Sequence, residues 1–244
     1  MNRFFIDPSN ITGTSIAIPE DISAQIRKVL RLKDGTRVLF LDNCGWLYES
    51  DIHYLDEKHL TAEVIRKRPA EEEPPCRISL YVGLTQREKF EWILQKCTEA
   101  GVSQIIPMIT ERSLIRKTSD VEGKVPRWEK ILKEAAEQCG RGLIPELCIA
   151  LPFRDAAENG IKADAALFCW EDEKQRSLKE VLEPLHGSSA SVSLMIGPEG
   201  GFSEDEASYA LSRGWSAVTL GKRIYRMETA ALAAVILTLY ELER

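Results

Sequence analysis

The rhythm of apolar and polar positions changes once along the chain. Residues 37–41, 46–52 and 60–65 are short runs, β-branched or aromatic in part, and they predict strands. The turn residues Asp42, Asn43, Cys44 and Gly45 separate the first two. Ile22, Ile26, Val29 and Leu30 recur at helical spacing and predict one helix over residues 22–30. Short strands in about 70 residues favour a small β-barrel, because closure removes exposed edges. Then comes Glu71-Glu72-Glu73-Pro74-Pro75. Three like charges and two prolines fit no ordinary element, so residues 71–75 predict a linker.

Beyond it, strand-like and helix-like runs alternate. Residues 78–82, 102–109, 147–150, 165–169, 192–196 and 217–220 predict strands. Phe90, Ile93, Leu94 and Cys97 lie at i, i+3, i+4 and i+7, with Gly101 as a stop. Trp128, Ile131, Leu132, Ala135 and Cys139 repeat that spacing before Gly140. The strand runs are nearly continuous in apolar residues, which predicts burial on both faces of a parallel sheet. The expected organisation is residues 1–70 as a β module, 71–75 as a linker and 76–244 as an α/β domain. Ligands of such a domain bind at the carboxyl ends of its strands.

Composition narrows the function classes. The 244 residues carry 32 Lys and Arg against 38 Asp and Glu, a formal net charge of -6. That excess argues against bulk electrostatic capture of nucleic acid but leaves room for a local basic face. Through Arg68 the chain holds ten basic and ten acidic residues, so the acidic excess belongs to the remainder. Arg27, Lys28, Arg31, Lys33 and Arg37 cluster, as do Arg66, Lys67 and Arg68. They read either as a solvated face or as a phosphate-contacting patch. The longest apolar run, residues 230–237, is far below the roughly 20 residues a bilayer requires. The first residues lack a signal-peptide core, so a cytoplasmic protein is expected. The 6 cysteines are scattered without a C-x-x-C pair, which predicts reduced thiols and no metal site. His53, His59 and His186 form no constellation.

Two segments carry chemistry. The strand at residues 192–196 runs into Gly197-Pro198-Glu199-Gly200-Gly201-Phe202, and Ser203 with Glu206 forms a capping box that starts a helix. Three glycines in five residues let a ligand approach the backbone. The turn lacks the G-K-[ST] of a P-loop and the spacing of a dinucleotide fingerprint. Glu199 and an acidic first helical turn would repel a phosphate, so a ligand with a neutral or cationic reactive part fits. The second segment, residues 220–230, places Lys222, Arg223 and Arg226 between a strand and an alanine-rich helix. It is either a surface loop with Arg226 paired to Glu228 or Glu199, or a site for developing negative charge.

Together, IGPEGGFSEDE and LGKRIYRMETAALAA closely resemble the RsmE family of ribosomal RNA uridine N3-methyltransferases, of the SPOUT class. The likeness extends to Lys89-Phe90-Glu91-Trp92, Glu111-Arg112-Ser113, Arg127-Trp128 and Arg3-Phe4-Phe5, so it covers nearly the whole chain. One departure is Met227, where the family usually carries Thr. The resemblance implies a PUA-like β-barrel followed by an α/β SPOUT domain with a C-terminal trefoil knot, a topology no periodicity could reveal. It implies a homodimer through the knotted domain, and S-adenosylmethionine as cofactor. By position in its motifs, Phe168, Trp170, Glu171, Met195, Ile196, Gly197, Pro198, Gly200, Leu220, Gly221, Ile224, Tyr225 and Thr229 would hold the cofactor. Arg226, Glu228 and Glu199 would serve the reaction. Arg3, Arg31, Arg112, Arg116, Lys117 and Arg223 would contact RNA, with Trp46, Tyr48 and Tyr54 as candidate stacking residues. The implied partner is 16S ribosomal RNA or the small subunit, with no metal and no membrane.

Two other readings stay open at this level. A SPOUT enzyme could methylate another RNA or a ribose hydroxyl. A non-catalytic RNA-binding assembly factor would keep the barrel and use the glycine turn only for packing.

Overall fold

The structure is a computed structural model that describes residues 1–56, 58–70 and 73–243. Of the expected linker, Glu71 and Glu72 lie outside the described residues. The chain separates into two compact units, residues 1–73 with 136–144, and residues 74–135 with 145–244.

In the first unit, β1 (Arg3–Phe5), β2 (Ile11–Thr12), β3 (Ser15–Ile18), β4 (Arg37–Leu41), β5 (Trp46–Tyr54) and β6 (Leu60–Pro69) form one sheet in the order β1-β4-β5-β6-β3-β2. Only β1 and β4 pair in parallel; the other pairs are antiparallel. Alternation along these strands sends Phe4, Ile16, Val38, Phe40, Ile52 and Leu60 into one core. The predicted helix begins as α1 (Glu20–Ala24) and continues as a π-helix, Gln25–Leu30. Arg31 ends it at φ 51°, a left-handed conformation that costs about 1 kcal/mol for a non-glycine residue. Arg27 lies over the Tyr54 ring at 4.4 Å.

The second unit is a parallel sheet with helices, and of the helix at Val125–Cys139 it holds only the residues up to Ala135. Its elements are β7 (Arg77–Gly83), α2 (Arg87–Ala100), β8 (Gln104–Ile109), α3 (Val125–Cys139), β9 (Glu146–Leu147), β10 (Leu151–Pro152), α4 (Phe153–Gly160), β11 (Ala165–Cys169), α5 (Leu178–Leu182), β12 (Ser191–Ile196), α6 (Glu204–Ser212), β13 (Ser216–Val218) and α7 (Met227–Leu242). The strand order is β10-β8-β7-β12-β11-β13, with β9 also on β8. Every pairing is parallel. Tyr81, Met108, Phe168 and Met195 point to one face, where they pack with Phe153, Phe202 and Trp215. Leu80, Leu167 and Leu194, one position away, are fully buried on the other. This is the two-sided burial that the apolar strands predicted.

The expected strand at residues 147–150 splits into β9 and β10, two short pieces on β8. Helices α4 and α5, of eight and five residues, are too short for the spacing over longer windows to mark them, although α4 buries Phe153, Ala156, Ala157 and Gly160 at helical spacing. The Ser203–Glu206 capping box is present at α6, with both reciprocal hydrogen bonds. All six cysteines are free thiols.

Candidate active site

Three parallel strands end level with one another. The registers put Cys169 of β11 beside Ile196 of β12 on one side and Val218 of β13 on the other. The chain leaves all three at this edge, and the segments that follow enclose a cavity of about 690 Å³. One wall is Cys169, Trp170, Glu171 and Lys174. A second is residues 196–199 with Gly201 and Phe202. A third is residues 218–226 with Met227, Glu228 and Ala230 from the first turn of α7. Lys89 of α2 completes it.

The glycine turn is fixed from several directions. A Cβ on Gly83 would meet the Pro198 nitrogen at 2.7 Å, so only glycine lets β7 lie this close to the turn. Gly201 donates its N–H to the Pro198 carbonyl at 2.9 Å and adopts φ +67°. A side chain there would collide with the Glu171 carboxylate at 2.8 Å. Glu199 accepts hydrogen bonds from the Thr85 hydroxyl and, at 3.0 Å, from Lys89 Nζ. Burial alone would raise its pKa, but these bonds outweigh that and hold the carboxyl below its usual range. Glu199 is therefore an ionised, occupied carboxylate and a poor proton acceptor.

The third wall is different. Gly221, Lys222, Arg223, Ile224 and Arg226 are exposed, and Ile224 is 78% exposed. Among the described residues Arg226 makes no ion pair, so neither Glu228 nor Glu199 is its partner. Arg226 is the N-cap of α7 and gives no side-chain cap, which leaves the first N–H groups of that helix open. Glu228 Oε2 is buried without a hydrogen-bond partner among the described residues. A buried carboxylate oxygen without a partner, on a residue of the cavity wall, is costly unless a ligand or proton satisfies it. Burial pushes the Cys169 thiol up to about 12, so it is no nucleophile at neutral pH.

Arg226, Glu228 and Glu199 thus meet in one cavity, together with Trp170, Glu171, Ile196, Gly197, Pro198, Leu220, Gly221, Ile224 and Tyr225. Four expected cofactor contacts lie outside it. Phe168 and Met195 are register partners on the opposite face of the sheet, buried against Phe202 and its neighbours. Gly200 turns toward Arg112, whose Cβ lies 3.1 Å from where a Gly200 side chain would start. Thr229 sits on an exposed side of α7. Sequence reasoning missed Thr85, Lys89 and Lys174 at the site; the first two reach Glu199 from more than a hundred residues away, and no local signal marks that contact.

The residues assigned to RNA divide. Arg31, Arg112, Arg116 and Lys117 are exposed, and Arg223 is exposed on the cavity wall. Arg3 is not an open surface cation: its Nη1 is buried over Gly140, where a Cβ would approach to 2.0 Å. Of the candidate stacking residues, Trp46 is 42% exposed, with Lys67 over its ring. Tyr48 is buried, with its hydroxyl on Asp42, and Tyr54 donates to the Leu32 carbonyl. Among the described residues no His, Cys, Asp and Glu cluster could hold a metal, and no helix is long and apolar enough to cross a membrane.

The cavity suits S-adenosylmethionine in its chemistry. It offers close backbone approach at Gly197 and Gly201, an aromatic wall at Trp170, and carboxylates at Glu171, Glu199 and Glu228 for a cationic ligand.

A family model for RNA methyltransferase domains matches residues 72–239. The ribosomal RNA small subunit methyltransferase E of Synechocystis is 30% identical over 234 residues, 96% of this chain and 75% of that one. The Bacillus subtilis protein of the same name is 26% identical over 250 residues, covering 100% and 98% of the two chains. The crystal structure of the Neisseria gonorrhoeae ribosomal RNA small subunit methyltransferase E, bound to S-adenosylmethionine, superposes with a TM-score of 0.87 at 29% identity, over 98% of this chain and 97% of that one. A Legionella pneumophila structure with bound S-adenosylmethionine gives 0.88 at 26% identity, over 98% and 96%.

Proposed function

The chain belongs to the RNA methyltransferase family, within its ribosomal RNA small subunit methyltransferase E group, and on that premise we propose that it methylates N3 of a uridine in 16S ribosomal RNA. The cofactor is S-adenosylmethionine, which supplies an electrophilic methyl group when bound. The observation that carries the reading is one cavity wall that holds both the exposed Arg226 guanidinium and the buried, unpartnered Oε2 of Glu228.

Each residue has a task set by its surroundings. N3 of uracil is an imide nitrogen and must lose its proton before it attacks. Glu228, whose Oε2 lacks a partner, accepts that proton. Arg226 donates to the uracil oxygen on which negative charge collects. Glu199, kept ionised by Lys89 and Thr85, stays a carboxylate and faces the cationic end of the cofactor. Trp170, Ile196, Gly197, Pro198, Leu220, Gly221 and Tyr225 hold the remainder by apolar contact and backbone groups, and orientation supplies much of the rate.

Arg31, Arg112, Arg116, Lys117 and Arg223 supply phosphate contacts, and Trp46 a stacking surface. The first unit is then the PUA-like RNA-binding barrel, and the trefoil knot lies in the segments around β12, β13 and α7. A second copy of the chain covers α7. That helix is apolar around its whole circumference and exposes Ile236, Leu237 and Tyr240 on one side. Ribosomal RNA as substrate puts the enzyme in the cytoplasm.

The test is methyl transfer from labelled S-adenosylmethionine to under-modified small ribosomal subunits, with mass analysis of the product nucleoside. The expected product is 3-methyluridine. Another methylated nucleoside moves the substrate, and no transfer with no cofactor binding overturns the reading in favour of an assembly factor. Replacing Ile236 and Leu237 together by Glu is expected to give monomers on sedimentation. A dimer that persists removes α7 from the interface.

A further inference from the structure

The β8–α3 connection is clipped to the cofactor turn at two points. Thr110 and Ser113 close it with buried hydrogen bonds, Thr110 N–H to the Ser113 hydroxyl at 3.0 Å and Ser113 N–H to the Thr110 carbonyl at 3.2 Å. Between them, the Glu111 N–H donates to Glu206 Oε1 at 2.8 Å, on the first turn of α6. Arg112 Nη1 donates to the Gly200 carbonyl at 2.9 Å, and its aliphatic stem lies flat on Gly200. A Cβ at position 200 would start 3.1 Å from the Arg112 Cβ, a tight fit against its stem, although the face of Gly200 is turned away from the cavity.

Arg112 thus has two sides. One N–H is committed to the turn whose other residues line the cavity. The residue is nonetheless exposed, its other guanidinium N–H groups make no hydrogen bond among the described residues, and Arg116 and Lys117 stand on the same connection. A planar guanidinium can hold a carbonyl on one edge and a phosphate on the other.

We infer that Arg112 is a positioning residue that couples RNA engagement to the cofactor turn, an inference that rests on the RNA methyl-transfer reading above. A phosphate on its free edge immobilises the guanidinium, and so the Gly200 carbonyl and the adjoining wall of residues 197–201. The cofactor then meets a wall already ordered, and linkage requires that it strengthen RNA binding by the same factor.

The experiment measures the dissociation constant of labelled S-adenosylhomocysteine by equilibrium dialysis, with and without saturating unmodified small ribosomal subunits. In the wild type the ratio is expected to be about five-fold or more, the lower range of ordinary coupling. Arg112→Ala brings it to about 1, and Arg112→Lys, which keeps charge but loses the second edge, restores only part. Gly200→Ala keeps the Arg112 charge but crowds its stem, which must shift by a few tenths of an ångström, and it also lowers the ratio; this variant answers the question if Arg112→Ala no longer binds subunits. A wild-type ratio of 1, or an unchanged ratio in both Arg112→Ala and Gly200→Ala, overturns the inference and leaves the methyl-transfer reading standing. Absence of any S-adenosylhomocysteine binding overturns both.

Discussion

Residues 196–201 and residues 220–226 line the same cavity, but they are held in opposite ways. The first segment is gripped by Gly83 against Pro198, by Thr85 and Lys89 on Glu199, and by Arg112 on the Gly200 carbonyl. The second is tied mainly at its base, where the Gly221 N–H reaches the Thr219 hydroxyl at 3.2 Å. A Cβ on Gly221 would meet nothing within 4 Å. One wall is held at several points, of which the Arg112 contact alone stays open to an RNA phosphate, and the other keeps its cations in solvent. A small, constant ligand is best served by a wall held in advance, because little ordering is left to do on binding. A larger partner that brings its own surface is better met by side chains still free to turn.

The largest effect expected from the open wall is on chemistry. Arg226→Ala should lower kcat about 100-fold or more while leaving the melting temperature unchanged, as for loss of one donor at a developing oxyanion. A fall in melting temperature with intact turnover would make Arg226 a structural residue. On the rigid wall, Gly83→Ala forces backbone against backbone and should cost about 2–3 kcal/mol of stability, together with cofactor affinity. Calorimetric titration and a thermal melt read both. The same substitution at Gly221 meets open space and only the strain of φ +122°, so about 1 kcal/mol and little change in cofactor affinity are expected. Equal losses at the two glycines would erase the distinction between the walls.

Two pH experiments refine it. Hydrogen bonds hold the Glu199 carboxyl below its usual value, so the Lys89 pair is complete above the ordinary glutamate range and is lost as pH falls below it. Cofactor affinity should therefore stay flat from neutral pH down to about 5. Glu91 lines neither wall and serves as a control. Arg127 and Arg87 pull its pKa down to about 2, so its stabilisation is full above the ordinary value and fades as pH drops toward 2. Both arginines are more than half exposed, so Glu91→Gln should cost about 1 kcal/mol or less at neutral pH and nothing in cofactor affinity.

Local sequence carried the elements that have strong periodicity. The strands β7, β11 and β12 were legible as continuous apolar runs, the helices α2 and α3 from apolar residues at i, i+3 and i+4, and α7 from its alanine-rich run. The glycine turn and its capping box were legible because Ser203 and Glu206 are three residues apart. Short elements such as α4 and α5 fell below that signal. Arg226 and Glu228, singled out from their neighbours in sequence, both lie on the cavity wall. Phe168 and Met195 fall outside the cavity; a strand's parity is only fixed once its partners are known, and one step in register moves a side chain to the other face. Thr85, Lys89 and Arg112 act on the turn across the fold, and nothing in their own neighbourhoods announces it.

The order of strands also bears on how the polypeptide leaves the ribosome. Strand β7 finds one neighbour, β8, soon after synthesis, but its other edge pairs with β12, where Ile78 lies beside Val192. At ordinary translation rates the intervening stretch of roughly 110 residues takes between about 5 and 20 seconds to appear. Through that interval a hydrogen-bonding edge rich in Ile78, Leu80 and Val82 stands without its mate. Nascent chains halted before Ser191 should accordingly be the form of this protein most dependent on chaperones.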